Sequence, residues 1–112
     1  MIQLSVHDNE HMFISFTVEG HSTLGKKGNN ILCAGVSTLT QSILLGMESV
    51  LKLHLKVRKE EGYLECVLPK SLSQGALEGV NLLMMTMITG FQDLKNQFPE
   101  EINIIWQNQK DQ

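Results

Sequence analysis

Residues 20–37 read Gly20-His21-Ser22-Thr23-Leu24-Gly25-Lys26-Lys27-Gly28-Asn29-Asn30-Ile31-Leu32-Cys33-Ala34-Gly35-Val36-Ser37, and the hydrophobic period changes across this stretch. Before it, Met12, Ile14, Phe16 and Val18 alternate with Phe13, Ser15 and Thr17. A period of two puts one face of a strand on a core. After it, Leu32, Val36, Leu39, Ile43, Met47 and Val50 recur at spacings of three and four. That spacing predicts a helix over 31–51. Between the two patterns, residues 20–30 hold Gly20, Gly25 and Gly28 and no regular apolar spacing, which predicts a loop. Asn30 is a natural N-cap for the helix.

The same criteria extend to both ends of the chain. Ile2 to His7 alternates like a strand and pairs with the strand over 11–19 through a turn at Asp8-Asn9-Glu10. Leu53, Leu55 and Val57 alternate with His54, Lys56 and Arg58, and Glu60-Glu61-Gly62 turns the chain into a return strand from Tyr63 to Leu68. Ser71 with Gln74 matches a capping box and opens a second helix over 71–97. Leu72, Ala76, Leu83, Met87 and Phe91 form its apolar stripe, and Leu82 to Met85 widens it. A helix apolar over so much of its girth needs cover on two sides, here the sheet and a second subunit. Pro99 ends it, and Ile102 to Trp106 is a short last strand. The expected architecture is a single α/β (α+β) domain over 1–112, in the order ββαββαβ. Its sheet packs against two helices, and it forms a homodimer.

With 112 residues and a hydrophobic fraction of 42%, the chain suits one globular core. Its net charge of −3 and scattered lysines and arginines leave no basic stripe, which argues against direct nucleic-acid binding and suits a basic peptide. The start of the chain has no charged n-region and no long apolar run. The apolar stretch 31–53 is interrupted by Ser37, Thr38, Thr40, Gln41, Ser42, Glu48 and Ser49, too polar for a membrane span. A cytoplasmic location is expected, with Cys33 and Cys66 as thiols.

Cys33 is the third residue after the N-cap. Free backbone N–H groups and the helix dipole at that end favour a thiolate, the nucleophilic form. The same N–H groups suit an oxyanion. His21 lies twelve positions earlier, at the end of a strand, and a glycine-rich loop lets the two meet as nucleophile and base. By residue type alone, Cys33 also reads as a small core thiol and His21 as a surface histidine.

The surrounding words decide between these readings. Gly20-His21-Ser22, then Gly28-Asn29-Asn30-Ile31-Leu32-Cys33-Ala34-Gly35-Val36-Ser37, resembles the motif of the ribosomal-processing cysteine protease family, Prp. That pattern is Gly-His-small, a short loop, then Gly-x-Asp-Ile-hydrophobic-Cys-Ala-small-x-Ser. The resemblance implies a His21–Cys33 dyad and a homodimer. It also implies removal of an N-terminal extension from a large-subunit ribosomal protein, with cutting after bulky aromatic residues. Gly20, Ser22, Asn30 and Ser37 are then candidate substrate-binding residues, and residues 22–29 a flap. For Ser37, a helix-surface serine bonded to its own backbone weighs equally. Asn30 departs from the family's Asp: it caps equally well and carries no charge. This keeps open a second reading, a ribosome-associated binding module without turnover. A redox-sensing thiol is a third. No cofactor is expected. His7 and His11 lack further ligands for a metal site, and Cys66 reads as an inert core thiol.

Overall fold

The period-2 segments become strands because each alternation has a partner across the ladder. The computed structural model describes residues 1–22 and 30–109. Of the expected flap, residues 22–29, all but Ser22 lie outside the described residues. Strands β1 (Ile2–Asn9) and β2 (Phe13–Gly20) form the first hairpin. Helix α1 (Ile31–Leu45) follows and continues as a single π-type turn, Gly46–Val50. A second hairpin, β3 (Lys56–Glu60) and β4 (Tyr63–Val67), leads to α2 (Gln74–Gln97) and β5 (Ile102–Gln109). The sheet order is β3-β4-β2-β1-β5. Only β5 runs parallel to its neighbour, β1, and α2 supplies the crossover that a parallel pair needs.

Register assembles the core in rows. Val6 pairs with Phe16, which pairs with Cys66, and Leu4 pairs with Val18, which pairs with Leu64. All six are buried. The helices cover this face: Val36, Ile43, Leu44 and Met47 from the α1 segment meet Val80, Met84, Met87, Ile88 and Phe91 from α2 over it. The opposite face carries Gln3, Ser5, Thr17, Glu19 and Glu65 and is more exposed. By length and composition Ile31–Val50 passes for a membrane span, yet its buried side chains belong to this core.

Besides the last strand, which runs on from Trp106 to Gln109 by pairing with His7 to Asn9, four local expectations differ from the structure. First, the hairpin turn lies later than Asp8-Asn9-Glu10. Asn9 ends β1, and its side-chain oxygen accepts from the N–H groups of His11 and Met12, both at 2.8 Å. Second, the regular ladder of the first helix ends at Leu45, and Leu51 N–H reaches back to Gly46 O at 3.0 Å, five residues away. Third, β3 starts at Lys56, because Lys52 adopts φ 59° and Leu53 N–H is held by Met47 O at 3.0 Å. Leu53 and Leu55 therefore pack on the core before the strand begins. Fourth, Ser73 caps α2, its hydroxyl accepting from Ala76 N–H at 3.2 Å, where Ser71 had been the sequence candidate. A cap must directly precede the first helical turn, and that turn begins at Gln74.

Candidate active site

The site lies where β2 ends and α1 begins. Gly20 closes β2 with φ 101°, and its N–H bonds to Gly62 O at 2.9 Å in the turn between β3 and β4. This bond extends the β2–β4 register by one step and brings that turn beneath the next residue, His21. The imidazole rests on Gly62: a Cβ added there would lie 2.5 Å from His21 Nε2. Gly62 has φ 69°, a conformation glycine adopts at little cost.

Cys33 is in the first turn of α1 and half-buried. His21 and Cys33 line one cavity of about 240 Å³, together with Gly20 and Ser37. Its apolar wall comes from Ile2, Val18, Val36 and Leu64, with Tyr63 and Glu60 at the hairpin side. Among the described residues no hydrogen bond joins the imidazole to the thiol. Catalytic hydrogen bonds are often loose without substrate and tighten when it binds.

Ser22 and Asn30 do not line the cavity; they bond to Cys33 instead. Asn30 uses both ends of its amide. Its Oδ1 accepts from Cys33 N–H at 3.0 Å, and its Nδ2 donates to Ser22 O at 2.9 Å. Ser22 N–H in turn donates to Cys33 Sγ at 3.3 Å. The Ser22 hydroxyl donates to Glu101 Oε1 at 2.8 Å, across 79 positions of sequence. An N–H aimed at sulfur suits a thiolate better than a thiol, because the charged form is the stronger acceptor. The N-terminal cap also changes which groups are available to an oxyanion. Cys33 N–H is engaged by Asn30, and Ala34 N–H bonds to Asn30 O at 3.1 Å. Among the described residues, the first-turn amides without such a bond are those of Ile31 and Leu32.

The double use of Asn30 has a consequence for the family's Asp. A carboxylate keeps the bond to Cys33 N–H and cannot donate to Ser22 O. Asn30→Asp is therefore expected to lower stability by about 1 kcal/mol, the size of one net hydrogen bond. Urea unfolding at pH 7 checks this; an equally stable variant would show that the Ser22 bond contributes nothing.

Sequence reasoning missed Gly62 and Glu101. Gly62 was visible only as a turn residue. Nothing near Glu101 in sequence points to the loop after β2. Cys66 is fully buried, and burial pushes its thiol up to about 12, with the Glu48 charge adding to the effect. It stays a neutral thiol near pH 7 and is no rival nucleophile. Among the described residues no cluster of three or more His, Cys, Asp or Glu forms a metal site.

The profile of a family described as cysteine protease Prp matches residues 1–103. The chain is 23% identical over 111 residues to the ribosomal processing cysteine protease Prp of Bacillus subtilis (strain 168), covering 93% of this chain and 96% of that protein. The ribosomal processing protease Prp from S. aureus, solved in complex with a covalently linked product peptide, superposes with a TM-score of 0.83 at 18% identity, over 96% of this chain and 100% of that one. A crystal structure from Streptococcus mutans superposes with a TM-score of 0.80 at 24% identity, over 97% and 99% of the two chains.

Proposed function

The chain belongs to the Prp family of cysteine proteases, and from that premise we propose that it is an endopeptidase that cuts the N-terminal extension from a large-subunit ribosomal protein, after bulky aromatic residues. The observation that carries the reading is the shared cavity of His21 and Cys33, with the Ser22 N–H on the sulfur. The B. subtilis relative is named for ribosomal processing, and the S. aureus one was solved with a product peptide.

In this mechanism His21 takes the thiol proton and the Cys33 thiolate attacks the scissile carbonyl carbon. The carbonyl oxygen becomes the oxyanion, and amide N–H groups at the start of α1 accept its charge. His21 then gives its proton to the leaving amine as the C–N bond breaks. Water, deprotonated by His21, hydrolyses the thioester and restores the thiol. Gly20 and Ser37 line the groove that the peptide backbone crosses, and Ser22 and Asn30 hold Cys33 through its Sγ and its N–H. The apolar wall of Val18, Val36 and Leu64 suits a bulky side chain beside the sulfur.

The protein works without metal or cofactor, in the cytosol, as a homodimer. Leu45, Val50, Leu82 and Met85 are exposed on the α1 segment and α2, and burying them favours a second copy. Neither nucleic acid nor membrane is a direct partner.

The test is a peptide carrying a ribosomal-protein N-terminal extension with aromatic residues before the scissile bond, followed by mass spectrometry. One cut after an aromatic residue is expected. Replacing that residue by Ala should lower kcat/KM by about tenfold or more, as an emptied apolar pocket loses its binding energy. Binding without cleavage would replace this reading with a ribosome-associated binding module.

A further inference from the structure

We propose that Glu101 is a positioning residue for the thiol: its carboxylate holds the Ser22 hydroxyl, and through it the Ser22 N–H that faces the Cys33 sulfur. The inference rests on the reading of Cys33 as the nucleophile and assigns the group that orients it from outside the motif.

Ser22 needs such a hold. It is the second residue after β2 ends, beyond the last ladder bond, where local secondary structure no longer fixes its backbone. Three polar groups of Ser22 are nevertheless engaged. The N–H meets Cys33 Sγ at 3.3 Å, the carbonyl accepts from Asn30 Nδ2 at 2.9 Å, and the hydroxyl donates to Glu101 Oε1 at 2.8 Å. The first two partners belong to the start of α1 and move with the cysteine. The Glu101 contact ties Ser22 to the end of α2 and the start of β1.

Glu101 is itself well anchored. Its N–H bonds to Phe98 O at 3.0 Å, at the end of α2, and its carbonyl accepts from Ile2 N–H at 2.8 Å, at the start of β1. The side chain is half-buried. A carboxylate is a strong acceptor for a hydroxyl, and a charge-assisted bond holds geometry better than a neutral one. Glu101 therefore acts at a distance, through Ser22, and touches no reacting atom.

The experiment is the rate at which iodoacetamide alkylates Cys33 at pH 7 in the full chain, read by peptide mapping. Cys66 is fully buried and gives its own separate peptide. Glu101→Ala is expected to slow Cys33 alkylation by about tenfold, the effect of one net hydrogen bond on the attacking group. Glu101→Gln keeps an acceptor for the hydroxyl and should stay within about twofold. Ser22→Ala should be as slow as Glu101→Ala, and the double variant no slower than either, because both changes cut the same link. A purely structural role predicts no rescue by Gln and effects that multiply in the double variant. Unchanged alkylation in Glu101→Ala, or multiplying effects, overturns the proposal. If Glu101→Ala does not fold, Ser22→Ala alone decides: slow alkylation sustains the link and a normal rate ends it. Peptide cleavage is measured in parallel. A chain that cuts nothing, yet slows in alkylation on loss of Glu101, overturns the endopeptidase reading and sustains this one.

Discussion

His21→Ala is expected to lower kcat for peptide cleavage by about 10²–10⁴-fold while the protein stays folded. The size follows from what the imidazole supplies: a base for the thiol proton and an acid for the leaving amine, in successive steps. Stability should change little, because His21 is exposed. The thermal midpoint should therefore remain within a few degrees. Cys33→Ala removes the nucleophile and is expected to abolish turnover altogether. The residual rate separates the two roles. A sulfur nucleophile without its base still reacts slowly, so His21→Ala should keep a small residual rate and Cys33→Ala none. Equal activity in His21→Ala and the unaltered protein would remove the histidine from the mechanism and leave Cys33 working alone.

The second large effect is expected at a residue with no chemistry of its own. Gly62→Ala should cost about 1 kcal/mol of stability, because its φ of 69° lies in the left-handed region. Its cost in activity should be larger, about 100-fold in kcat. The new Cβ would lie 2.5 Å from His21 Nε2 and 3.0 Å from Cε1, so the ring must move by an ångström or more. A displacement of that size in a reacting group costs on the order of 10²-fold. Gly62→Asn separates backbone strain from the clash. Asn tolerates the left-handed region, so most stability should return, while its Cβ still displaces the imidazole and activity stays low. Both variants at full activity would show that the ring is not held by this contact during turnover.

These two predictions differ in how far they were legible in the sequence. His21 and Cys33 were singled out by local features, a strand end, a loop and a helix start, and above all by the motif words around them, which decided the reading. Gly62 was legible only as the glycine of a Glu-Glu-Gly turn. Its contact with His21 depends on β4 pairing with β2, with Tyr63 opposite Glu19. That register is a long-range choice, made by the row of buried side chains from Phe16 to Cys66 and from Val18 to Leu64. Glu101 is a stronger case. In the sequence it is one of two consecutive glutamates before the last strand, with nothing to single it out. Its bond to Ser22 exists because β5 lies parallel beside β1, whose first residues adjoin the end of β2.

The misplaced boundaries have a related origin. Leu53 and Leu55 alternate with polar residues and looked like strand, yet they pack on the core before pairing begins. Alternation records which side chains face the core and is silent about whether a partner strand is present. Ser71 and Ser73 both precede a helix-like pattern, and only the tertiary position of the first turn chooses Ser73.

The sequence by itself determined the element types, the Asn30 cap, the family motif around Cys33 and the apolar faces that must be buried. Each is set by residues within a turn or two of one another, where covalent spacing fixes geometry. The tertiary structure decided the sheet order, the seat of the imidazole on Gly62 and the tie from Ser22 to Glu101. Those juxtapositions join segments tens of residues apart, and only the simultaneous packing of both helices on one sheet face selects them.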